Sequence, residues 1–132
     1  MQQRPAEAAV SPNRPWVASA LRFATEVVAW VATPWALAGY SVPLAIASPV
    51  VLIALPTIFA TPGDKAKVVV AVPGSITIGL VALHMAAAAL ASWIAWPATV
   101  AVIVWALVAA SVVAELPRWR WLFGRPANPS PR

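Results

Sequence analysis

Four ionisable side chains, Arg22, Glu26, His84 and Glu115, lie inside or at the edge of otherwise apolar stretches. Such a group within the hydrocarbon of a bilayer costs a few kcal/mol (about 3 on insertion scales), so these are the positions where chemistry is to be sought. Arg22 and Glu26 are four residues apart and can pair on one helix face. Ala29, Thr33, Ala36 and Tyr40 continue that face at alternating spacings of three and four, making a small and polar stripe suited to a bundle interior. At a rise of about 1.5 Å per residue, Glu26 lies roughly 9 Å in from a helix start near Ala20, and His84 roughly 13 Å in from Ser75. A carboxylate and an imidazole at such similar depths could form an acid and base pair.

The candidate catalytic residues are therefore Glu26, His84 and Glu115, within an intramembrane polar cluster of Arg22, Glu26, Thr33, His84, Ser111 and Glu115. With Glu115 at the mouth, the cluster could serve as a proton or cation path open to the cytoplasm. The plainer alternative is structural: Arg22 neutralises Glu26, His84 bonds to a carbonyl or a threonine, and Glu115 forms an interfacial ion pair with nearby arginines. The spacing favours the plainer one. The chain has no cysteine and one histidine, so no metal site and no cofactor is expected. No phosphate-binding glycine loop or nucleophile elbow is present.

The elements that must position these residues follow from composition. Of 132 residues, 61% are hydrophobic and 10% charged, which places the chain outside the range of soluble domains. A bilayer core of about 30 Å takes about 20 apolar residues per helix. Four apolar blocks meet that need, at about Ala20 to Tyr40, Val42 to Ala60, Ser75 to Trp93 and Pro97 to Leu116. The expected fold is all-α, a polytopic four-transmembrane-helix bundle spanning 20 to 117. A disordered tail (1 to 19) precedes it and a basic tail (118 to 132) follows it. Helix one is read as retained, because Glu26 interrupts a signal-peptide pattern ahead of Ala36-Leu37-Ala38. Pro34, Pro49 and Pro56 fall inside the blocks, Pro43 and Pro97 open helices, and Ser75 is a candidate N-cap. Val68 to Val72, β-branched and bounded by Pro73-Gly74, is expected to be extended.

All nine basic residues fall before or at the start of helix one, between helices two and three, or after helix four. The two remaining loops carry no charge. The positive-inside rule then places both termini in the cytoplasm of a bacterial inner membrane. The net charge of +5 points to anionic lipid headgroups on that side, not to nucleic acid. A homo-oligomer or a larger membrane protein is the other expected partner.

The run Leu21-Arg22-Phe23-Ala24-Thr25-Glu26, the loop Thr61-Pro62-Gly63-Asp64-Lys65, and Val72-Pro73-Gly74 together resemble the YrdB-like family of small bacterial membrane proteins, a domain of unknown function. Over residues 20 to 116 the resemblance implies four spans, an arginine, phenylalanine and glutamate pattern in helix one, and a Pro-Gly loop after helix two. Where such proteins often carry a second glutamate in helix three, this chain has Val81. The resemblance implies no reaction. Three roles are thus open: a structural or accessory subunit, a small transporter or ion-conducting oligomer using Glu26 and His84, or a membrane-embedded enzyme acting on a lipid or isoprenoid-like substrate through Glu26 or Glu115.

Overall fold

Pro43 in the first turn and the Ser41 side chain, which accepts a hydrogen bond from the Leu44 amide at 3.3 Å, start a helix immediately after a turn at residues 38–40. This hairpin is repeated later in the chain, where Trp96 and Pro97 separate two further helices. The computed structural model describes residues 16–64 and 68–127. Its helices are α1 (Trp16–Leu37), α2 (Val42–Ile58), α3 (Gly74–Ala95) and α4 (Ala98–Leu122). Two short strands, β1 (Phe59–Ala60) and β2 (Val70–Ala71), pair in parallel between α2 and α3, with Phe59 opposite Val70. The described residues are all-α apart from this pair, and α3 and α4 are long and apolar enough to cross a membrane.

Several boundaries differ from those read in the sequence. Trp16 to Ser19 are helical instead of belonging to a tail, whereas Met1 to Pro15 lie outside the described residues. Helix α3 begins at Gly74 with Pro73 at the cap and no side-chain cap, so Ser75 sits inside the first turn. The extended stretch expected at Val68 to Val72 is β2 at its centre, and the Val72 amide donates to Ala60 O at 2.9 Å. The largest difference is at the end of α4. Pro117 lacks an amide hydrogen and reads as a stop after Leu116, yet the helix runs through it to Leu122. Losing that hydrogen bond is offset beyond it, where Arg118 is held by carboxylates and Leu122 is fully buried. Arg118 and Arg120 are therefore helical residues, not part of a tail.

Thr25 of α1 bonds to Ser111 of α4, and Thr61 after α2 bonds to Thr77 of α3. These contacts gather the start of α1, the end of α2, the start of α3 and the end of α4 at one end of the bundle. At the other end, Trp35 and Trp96 meet edge to face at 6.2 Å between ring centroids. The Trp105 indole nitrogen donates to Ala89 O at 3.0 Å and ties the start of α4 to the later half of α3. Helices α1 and α3 are the most closely packed pair, with α2 and α4 on either flank and little contact between α2 and α3. Each helix sends one residue to the central cluster, Ala29, Leu52, Ala88 and Val104. Alanine dominates the interior, which lets the α1 and α3 backbones approach closely.

The tightest backbone approach is at Gly74, whose amide donates to Arg125 O at 2.9 Å. A Cβ built there would stand 1.7 Å from the carbonyl oxygen of Leu122, which is backbone and cannot swing aside. Gly74→Ala should therefore destabilise the protein by at least about 1–3 kcal/mol, the usual cost of overpacking. Thermal unfolding in detergent should show this, with Gly79→Ala, where a Cβ meets nothing within 4 Å, as the neutral control.

Candidate functional site

One stripe of α4, formed by Ser111, Glu115, Arg118 and Leu122, is buried along its length. The spacing of four, three and four puts these residues on a single helix face. That face meets α1, so three of its four residues bring polar groups to the charged end of the bundle.

The turn after α2 supplies the next component. Gly63 follows Pro62 with φ of +90°, a conformation that glycine adopts without steric cost, and the Asp64 amide closes the turn on Thr61 O at 3.1 Å. Thr61 is itself fixed by the 2.7 Å contact with the Thr77 hydroxyl. Asp64 is thereby aimed at α4. Its Oδ1 accepts from Arg118 Nε at 2.7 Å, and its Oδ2 accepts from Arg118 Nη2. This is the two-pronged guanidinium and carboxylate geometry, the strongest form of such a pair.

From Arg118 the network continues inward and across. Arg118 Nη1 donates to Glu115 Oε2 at 2.8 Å, and Arg22 Nη1 of α1 donates to Glu115 Oε1 at 3.2 Å. Arg22 Nε lies 3.9 Å from Glu26 Oε1. The resulting order is Asp64, Arg118, Glu115, Arg22, Glu26, with acids and bases alternating. Asp64, Glu115 and Arg118 have side chains no more than 5% exposed, whereas Arg22 and Glu26 are 24% and 20% exposed. Beside the network, the Thr25 hydroxyl donates to Leu21 O at 2.9 Å, so Ser111 donates in the 2.9 Å bond between the two hydroxyls.

The residues singled out in the sequence are thus divided. Arg22, Glu26 and Glu115 belong to one network, and Ser111 lies next to it on α4. Glu115 is fully buried between two guanidinium groups, because α4 continues past Pro117 and carries Arg118 back over it. His84 is separate. Its Nδ1 donates to Leu80 O at 2.9 Å, and its buried Nε2 has no hydrogen-bond partner among the described residues, so the Glu26 and His84 pair is not formed. Thr33 Oγ1 is likewise buried without a partner there. Asp64 is a site residue that sequence reasoning does not reach, whereas Arg118 is one of the arginines expected to pair with Glu115.

A cavity of about 200 Å³ opens beside this network, in the gap left where α2 and α3 barely touch. Arg22, Glu26 and Arg118 line its charged side, and Trp30, Ile53 and Pro56 contribute to its apolar wall. Arg22, Glu26 and Trp30 are successive turns of one α1 face, running from the charged end toward the bundle centre. The Trp30 indole nitrogen is buried without a hydrogen-bond partner among the described residues. The chain matches no family model, no curated protein and no solved structure.

Removing one partner from a buried ion network leaves a charge that the interior cannot solvate. Glu115→Ala would strand parts of both Arg22 and Arg118, and should cost about 3–5 kcal/mol. Glu26→Gln removes only a long, partly exposed pair and should cost no more than about 1 kcal/mol. Thermal unfolding of both variants in the same detergent checks the contrast. Equal losses would mean that Glu115 is not the centre of the clasp.

Proposed function

We propose that this chain is a small four-span protein of the bacterial inner membrane, with both termini cytoplasmic, acting as a structural or accessory subunit that packs with itself or with a larger membrane partner. The observation that carries the reading is the inverted distribution of side chains. Buried positions are mainly alanine together with Thr25, Ser92, Ser111, Glu115 and Arg118, while Leu44, Ile46, Val50, Ile103 and Val113 are exposed. A water-soluble bundle of this size would place those large apolar groups inside. In lipid the arrangement is favourable, since small residues let helices approach and the few polar groups satisfy one another.

The distribution of charge supports the orientation. Among the described residues, Arg22, Glu26, Asp64, Glu115, Arg118, Arg120 and Arg125 all lie toward the end where α1 starts and α4 finishes. The hairpins at the opposite end carry none. Arg125 stacks on the Trp121 ring at 4.3 Å, a cation and aromatic pair of the kind that suits an inner headgroup layer rich in anionic lipid. The accessory role is supported by the network itself, which commits Glu115, Arg22 and Arg118 to holding segments together. A transporter or ion-conducting oligomer is the second reading, drawn from the cavity that reaches Glu26.

The chain has no native cysteine, so single-cysteine variants can be labelled against a clean background. In intact cells, Tyr40→Cys should react with a membrane-impermeant maleimide, while Lys65→Cys should react only after permeabilisation. The reverse pattern would overturn the topology. Reconstituted vesicles should show no Glu26-dependent proton flux, and a flux abolished by Glu26→Gln would favour the second reading.

A further inference from the structure

Among the described residues, three carboxylates, Asp64, Glu115 and Glu26, face two guanidinium groups, Arg22 and Arg118. Glu26 is the least closely paired of the three. Asp64 accepts two hydrogen bonds from Arg118, and Glu115 is hydrogen-bonded by both arginines. Among the described residues Glu26 accepts no hydrogen bond, and its nearest cationic nitrogen is 3.9 Å away. Glu26 lines the 200 Å³ cavity.

The remaining wall describes what could neutralise it. Trp30, one turn deeper on α1, and Phe59 at the end of α2 present aromatic rings, while Ile53, Pro56 and Val81 are hydrocarbon. The two cavity hydroxyls are already engaged, Thr57 donating to Ile53 O at 2.6 Å and Thr77 sharing its bond with Thr61. A metal ion such as calcium takes about 6–8 oxygen ligands, more than one carboxylate and two hydroxyls supply. An organic cation needs fewer partners: one carboxylate for its charge and aromatic and aliphatic surface for its carbon. The volume equals that of about six or seven waters at about 30 Å³ each, the size of a small alkylammonium.

We infer that the cavity between α1, α2 and α3 is a binding site for a small organic ammonium cation, with Glu26 as its counter-ion and Trp30 and Phe59 as its aromatic wall. The site goes beyond the accessory role and does not require it: an accessory subunit could bind such a molecule as readily as a transporter. Guanidinium groups at the mouth raise the contrary case, an anion such as phosphate. Both arginines are already hydrogen-bonded to carboxylates, whereas Glu26 is not, and this decides between the two charges.

The test is calorimetric titration of the full-length protein, in a maltoside detergent that carries no ammonium group, with tetraethylammonium or propylammonium chloride against a sodium chloride control. The wild type should bind at least one of the two ammonium salts. Glu26→Gln should weaken binding by about tenfold or more, and Trp30→Leu should weaken it several-fold while Trp30→Phe retains most of it. Sodium phosphate should give no binding heat. Absence of ammonium binding to the wild type, binding unaffected by Glu26→Gln, or saturable phosphate binding that depends on Arg22 would each overturn the proposal. Should Glu26→Gln fail to fold, the Trp30 series decides alone, and equal affinity for Phe and Leu at that position would overturn it. The reverse labelling pattern at Tyr40→Cys and Lys65→Cys would overturn the membrane topology without touching these outcomes.

Discussion

Arg118 stands where segments far apart in the chain must converge, and the charged end of the bundle depends on how its guanidinium is satisfied. Its Nε and Nη2 hold Asp64 of the loop after α2, and its Nη1 holds Glu115 one turn back on α4. Glu115 in turn reaches Arg22 of α1. With a side chain only 5% exposed, Arg118 would be too costly to bury without these partners. The requirement acts in both directions. The carboxylates must be brought to it, so the turn at Pro62-Gly63, the register of α1 against α4 and the passage of α4 through Pro117 are all tied to one side chain.

The two ends of the bundle are held by different physics. At the charged end, polarity is concentrated: ion pairs and paired hydroxyls link α1, α4 and the loop, and the backbone of α3 at Gly74 is pressed against Leu122. At the other end, contact is apolar and aromatic, through Trp35 with Trp96 and the short hairpins. Between them the interior is mostly alanine, and packing depends on close backbone approach and not on large interlocking side chains. Such a core tolerates little change in size at α1 and α3. It leaves α2 loosely held against α3, and the cavity lies in that gap.

His84 and Glu26 illustrate how depth differs from proximity. Rise per residue places both within a few ångströms of the same level, but it says nothing about which way each side chain turns around its helix axis. His84 is turned to its own helix and bonds to Leu80 O, and Glu26 faces the cavity beside Arg22. Two polar groups that look like a pair on paper are thereby assigned to different surroundings. Glu115 shows the reverse: it reads as a peripheral residue at a helix end and lies at the centre of the network.

The number and order of the helices, the extended stretch before α3 and the hairpin prolines were legible in the residues, because hydrophobic run length and proline chemistry act locally. The inward face of α1 was not: its buried stripe is Ala18, Thr25, Ala29 and Ala32, while Tyr40, expected on that face, is exposed. The alanine-rich faces and the Arg22 and Glu26 spacing needed only the helical repeat. What the tertiary structure decided was which charges meet. The Asp64 and Arg118 pair joins residues 54 positions apart, and the Arg22 and Glu115 bond joins residues 93 apart. No local rule relates such positions. The persistence of α4 beyond Pro117 belongs to the same class, since proline's local cost argues for a stop and only the ion pairs and the buried Leu122 beyond it reverse that outcome. Pairing of buried charges depends on the whole fold, while the preference of an apolar segment for a helix depends on the segment alone.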